Sequence, residues 1–135
     1  MTERLVVLIA AVGVGALILL AFTWYRSRFT SGPDRLEVDE LGLELMPGCC
    51  AFVVFTTPSC RPCKAALNVV GQAASRTNGM TEVRSVDAME RPELAIRYEV
   101  RTIPTVFLIT ASGHVIRRWR EVPDAGDVDQ ALALV

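Results

Sequence analysis

From Leu5 to Tyr25 the chain carries no charged residue. At ~1.5 Å per residue a helix of that length spans ~30 Å, the thickness of a bilayer's hydrocarbon core. The run is longer than the apolar region of an ordinary signal peptide, and no Ala-x-Ala-like cleavage site follows it, so a retained single-pass anchor over residues 1–25 is expected. Trp24 and Tyr25 close the run, where amphipathic aromatic rings favour the membrane–water boundary. Gly13 and Gly15 lie inside it but not at the Gly-x-x-x-Gly spacing of a helix-pairing face.

Whatever folds must follow this run. Residues 26–40 are polar and charged and are broken by Ser31-Gly32-Pro33, the composition of a tether. Residues 41–135 then suffice for one small-domain core. Leu41, Leu43 and Leu45 alternate as in a short strand, and Pro47-Gly48 turns the chain into a nearly continuous apolar run, Cys49 to Thr57, suited to a central strand buried on both faces. Lys64 to Arg76 repeats apolar residues at helical spacing and stops near Asn78-Gly79. The remainder reads as a strand from Thr81 to Asp87, a short helix from Pro92 to Tyr98 and a strand from Val106 to Ile109. After Ser112-Gly113 come an edge strand from His114 to Trp119 and a last helix from about Asp127 to Val135. Strand, helix, strand, then hairpin and helix make an α/β architecture with little room for a helix ahead of the first strand.

Between the apolar strand and the first helix lies Cys60-Arg61-Pro62-Cys63. Two thiols on the first turn of a helix meet unpaired N–H groups and the positive end of the helix dipole, both of which favour thiolate over thiol. Pro62 suits that turn because the N–H it lacks would be unpaired there anyway. Cys60 is expected at the exposed tip as the attacking group, and Cys63 one turn deeper as the resolving one. The same spacing also serves as half of a zinc or iron–sulfur site. Here no second pair follows it, the only histidine is the distant His114, and the other two cysteines are Cys49 and Cys50. Those two are expected as small buried hydrophobes on opposite faces of a strand.

Cys60-x-x-Cys63-Lys64 followed by Thr102-Ile103-Pro104-Thr105, Val106 to Thr110 and Ser112-Gly113 resembles thioredoxin over about residues 49–120. The resemblance implies a thioredoxin fold, a central mixed sheet flanked by helices, here preceded by one N-terminal transmembrane helix. It also implies thiol–disulfide exchange without a cofactor or bound metal, using Cys60 and Cys63 as the catalytic pair. Substrate contact would come from Ser59, Arg61, Pro62, Ile103 and Pro104, with Pro104 cis and Ile103 offering its backbone to the substrate. A thiol or disulfide substrate, protein or small molecule, and an unidentified redox partner are expected; at a net charge of −1 no nucleic-acid partner is.

The sequence departs from the family at several of these positions. The buried aspartate that thioredoxins usually carry ahead of the first cysteine, and its lysine neighbour on the next strand, fall at Val54 and Val83. The usual tryptophan is Ser59, and the small residue between the cysteines is Arg61, whose charge should favour the Cys60 thiolate and make the disulfide a stronger oxidant. A non-catalytic tethered binding or metal-holding module is the competing function. For membrane side, Arg26, Arg28 and Arg35 after the span outweigh Arg4 before it and place the domain on the cytoplasmic face of the cell membrane. The habit of membrane-anchored thioredoxin-like proteins points to the other face. Arg117, Arg118 and Arg120 read as a solvated basic strand face.

Overall fold

The computed structural model describes residues 1–30 and 32–135, with side chains described outside 26–31. Ser31 of the expected tether, and the side chains of Arg26 and Arg28, lie outside the described residues. Two units form, Met1–Gly32 and Pro33–Val135. The first is helix α1 (Thr2–Thr30), whose residues Thr2–Tyr25 have a mean hydropathy of 3.0 and are long and apolar enough to cross a membrane. Leu5, Ile9, Leu17 and Phe22 are all exposed along it.

The second unit is built on strand β1 (Cys50–Thr56), from which Ala51 to Phe55 are fully buried. β1 pairs in parallel with β2 (Thr81–Asp87) on one side and antiparallel with β3 (Thr105–Thr110) on the other. β4 (Val115–Trp119) adds to β3, giving the order β2-β1-β3-β4. The parallel pair needs a crossover, supplied by α2 (Arg61–Ser75). Its Cys63, Ala66, Val70, Ala73 and Ala74 recur at helical spacing and are buried. Ala66, Val70 and Ala73 pack with Phe52, Val54, Val106, Leu108, Trp119 and with Val128 and Ala131 of α4 (Ala125–Leu132) over one face of the sheet. Asp124 caps α4 by accepting from the backbone N–H groups of Gly126 and Asp127.

The other face carries Val53, Phe55, Phe107 and Ile109, with Phe55 edge-on to Phe107 at 5.9 Å and to Tyr98 at 6.4 Å. Its cover is α3 (Pro92–Arg97) and an irregular strap that buries Leu36, Leu41 and Leu43. The strap is where the short strand was expected. No strand forms at Leu41–Leu45, because turns close within the segment itself, Gly42 N–H to the Asp39 carbonyl and Leu43 N–H to Val38. Alternating leucines mark a chain laid on a sheet face as readily as a strand within one. Tyr98 holds the strap by accepting from the Glu37 N–H at 3.0 Å and donating to Glu40, which also pairs with Arg97. The compact unit thus begins at Pro33, ahead of Leu41. Cys50 is buried as expected, whereas Cys49 lies before the strand and is partly exposed. It ends the Pro47-Gly48 turn, its N–H donating to the Met46 carbonyl.

At the start of the strap, Leu36 N–H donates to the Gly113 carbonyl at 2.8 Å and Val115 N–H to Asp34. Gly113 has φ +84°, and a Cβ there would stand 2.0 Å from the Leu36 carbonyl oxygen. Gly79 has a similar φ of +82° in open space. Gly113→Ala is therefore expected to lower stability by more than Gly79→Ala, by roughly 1–3 kcal/mol against about 1 kcal/mol. Urea denaturation midpoints of the two variants check the order.

Candidate active site

The cysteine pair sits where β1 stops. Thr56 ends the strand, Thr57 to Ser59 turn, and Cys60 becomes the N-cap of α2 with extended backbone angles. Its sulfur accepts a hydrogen bond from the Cys63 backbone N–H at 3.2 Å, so one of the helix's unpaired donors is aimed at it. Cys60 and Cys63 are joined in a disulfide with Cα atoms 5.3 Å apart. Cys63 is 3% exposed and Cys60 partly exposed, so attack from outside reaches Cys60 first. In the reduced protein, a thiolate at Cys60 would gain both that N–H and the helix dipole.

Ser59, Arg61 and Pro62 are exposed around the pair. Ile103 is partly buried, Pro104 buried, and the bond between them cis. Register, rather than chain proximity, brings this second segment to the same end of the sheet: Phe55 near the close of β1 is opposite Thr105 at the start of β3. Thr105, fully buried, donates its hydroxyl to the Thr102 carbonyl at 2.6 Å and closes a short loop around Ile103 and Pro104. Behind the pair, Val54 is fully buried and Val83 partly so, in the apolar cluster under α2.

The arginines of β4 are not one solvated face. Arg117 pairs with Asp127 at 2.6 Å, and the same carboxylate accepts from the Trp119 indole N–H at 2.6 Å. Arg118 instead lies over the Phe107 ring, 5.0 Å from its centroid, and donates to the Glu99 carbonyl at 2.5 Å. Nothing in the local sequence marks Arg118 as this anchor for the loop that precedes Ile103. The available signal was the hairpin register, which sets Arg118 opposite Phe107. Cys49 and Cys50 are free and take no part in the pair; Cys50 shares a hydrogen bond with the Thr81 hydroxyl at 3.3 Å, and burial pushes its thiol pKa up. Among the described residues, no three His, Cys, Asp or Glu side chains gather as a metal would need.

Comparison with known proteins agrees with this geometry. The family model described as Thioredoxin matches residues 48–132. Thioredoxin of Methanocaldococcus jannaschii is 34% identical over 55 residues, covering 41% of this chain and 65% of that protein. Protein disulfide isomerase-like 1-3 of Arabidopsis thaliana is 38% identical over 58 residues, covering 43% of this chain and 10% of that protein. The chain thus spans less than two thirds of the length of either relative. A solved structure of thioredoxin-2, described as a component of malaria parasite protein secretion machinery, superimposes with a TM-score of 0.60 at 16% identity, over 67% of this chain and 86% of that one. That likeness speaks for the fold alone. With the family model covering most of the chain and the cysteine pair standing at the tip of the helix that follows the central strand, this chain belongs to the thioredoxin family.

Proposed function

We propose that the protein is a membrane-tethered thiol–disulfide oxidoreductase, with residues 1–25 as a single-pass anchor and the compact unit from Pro33 onward as the catalytic domain on the cytoplasmic face. The observation that carries the chemistry is the partly exposed Cys60 sulfur, capped by the Cys63 N–H and bridged to a buried Cys63. In the reduced protein the Cys60 thiolate attacks one sulfur of a substrate disulfide. That S–S bond breaks, its second sulfur leaves as a thiolate and takes a proton, and a mixed disulfide forms on Cys60. Cys63 then loses its proton and attacks the Cys60 sulfur, releasing the remaining substrate thiolate and restoring the Cys60–Cys63 disulfide. Two electrons pass from the dithiol to the substrate, and an external dithiol returns them. Ser59, Arg61, Pro62, Ile103 and Pro104 frame the approach to Cys60, and Arg61 favours its thiolate and so the reduced state. The anchor reading is supported by the hydropathy and length of Thr2–Tyr25, and the cytoplasmic face by Arg26, Arg28 and Arg35.

Reduction of insulin by dithiothreitol is expected to be accelerated by the protein. Cys60→Ser should abolish the acceleration, and Cys63→Ser should accumulate mixed disulfides with substrate, seen on non-reducing gels. Sustained multiple turnover by the Cys63→Ser protein would reverse the assignment of roles.

Val54 leaves Cys63 without the buried carboxylate that could take its proton, so water or the departing thiolate must serve. Val54→Asp is expected to destabilise the fold by roughly 1–3 kcal/mol or more, since the new group is buried and has no lysine partner at Val83. Burial should hold its pKa up toward neutral, and resolution of a defined mixed disulfide should become faster there. Stopped-flow kinetics on a variant shown to be folded measure this; an unchanged resolving rate means that proton removal from Cys63 is not limiting.

A further inference from the structure

Five arginines of the domain hold a carboxylate: Arg76 with Asp129, Arg84 with Glu82, Arg91 with Glu93, Arg97 with Glu40 and Arg117 with Asp127. Around the redox end the pattern changes. Among the described residues, Arg61, Lys64, Arg101 and Arg118 have no such ion pair; Arg35, at the far end of β4, also lacks one. Arg118 is the most telling of them. A guanidinium that is partly withdrawn from water ordinarily meets a carboxylate. This one is held by the Phe107 ring and the Glu99 carbonyl, and its Nε and Nη1 have no acceptor. Burial lowers its pKa, and the charges of Arg120 and Arg101 lower it further against the opposing Glu99 carboxylate. Three cations thus lie within electrostatic reach of one another.

Topology sets this charge beside the exchange chemistry. Val106 is opposite Trp119, so Arg120 lies just past the start of β3, and the Thr102 hydroxyl donates to the Arg120 carbonyl at 3.1 Å. Arg101 and Thr102 lead directly into Ile103 and Pro104. From the other side of the site come Arg61, between the cysteines, and Lys64, just after them, both exposed. The acidic residues in the same stretches are Glu99 and Glu121, too few to cancel these charges. Asp87, at the end of β2, is already engaged with the N–H groups of Met89 and Glu90.

We infer that the redox end selects disulfides flanked by acidic residues, a polypeptide segment lying along Ile103 and Pro104 with its carboxylates toward Arg101, Arg118 and Arg120. The inference rests on the oxidoreductase reading and narrows its substrate class; the exchange steps and the external dithiol stay as written above. Cations rimming the site act on encounter and on holding the segment, and both effects weaken with salt.

The test uses three cystine peptides identical except for the residues flanking the disulfide, which are Asp, Ser or Lys. The full chain, in neutral detergent micelles and recycled by uncharged dithiothreitol, reduces each while kcat/KM is measured, with insulin alongside. At low ionic strength the Asp peptide should lead the Ser peptide by about tenfold and the Lys peptide should trail. The gap should close toward unity by about 0.5 M salt, as the screening length falls to a few ångströms. Arg101→Gln combined with Arg120→Gln should collapse the Asp-to-Ser ratio mainly through KM. Equal kcat/KM for the three peptides with insulin still reduced overturns the inference alone, as does a preference that ignores salt or survives the double substitution. If neither insulin nor any peptide is reduced, the oxidoreductase reading fails and takes the inference with it.

Discussion

A strand with no exposed face dictates most of this domain. Ala51 to Phe55 are fully buried, so every backbone N–H and C=O along them needs a partner inside the protein, and β2 and β3 supply them from either side. Because side chains alternate across a strand, each face also needs its own cover. Phe52 and Val54 are roofed by α2 and α4, and Val53 and Phe55 by α3 and the strap. The parallel partner forces a crossover helix, and that helix must begin just beyond the end of the buried strand. Cys60 caps that helix, so the position of its sulfur follows from the burial of the strand before it.

The electrostatics of the site come from its periphery rather than its interior. Thr81 and Thr105 are the buried polar residues among the described ones, and Val54 occupies the position at which thioredoxins usually carry an acid. A backbone donor and a helix end meet the Cys60 sulfur, and neither must be desolvated to act on it. A core without a buried acid also loses no stability when such a group would titrate.

Much of this was legible in the order of the residues. The apolar run into Cys60 and the helical spacing from Lys64 gave β1 and α2, because strand and helix burial leave different periods in a sequence. The strap reads as a strand for a physical reason: Leu41 and Leu43 face a sheet and their neighbours face water, a period of two without any ladder. Cys49 reads as buried because it opens the apolar run, but the turn at Pro47-Gly48 delays the strand by one residue. At the site, the cysteines and the Ile103-Pro104 segment announced themselves through their motif. Arg118 did not, since only the pairing of β4 with β3 brings it over Phe107. Long-range register is what a local pattern cannot carry.

The strap has a mechanical consequence. Its first bonds, Leu36 to Gly113 and Val115 to Asp34, lie at the hairpin between β3 and β4, the end of the sheet opposite to the one that bears Cys60. A pull arriving through the residues before Pro33 therefore meets this bridge before it reaches the central ladder. The strap thus takes up such a load at the end of the sheet away from the cysteine pair.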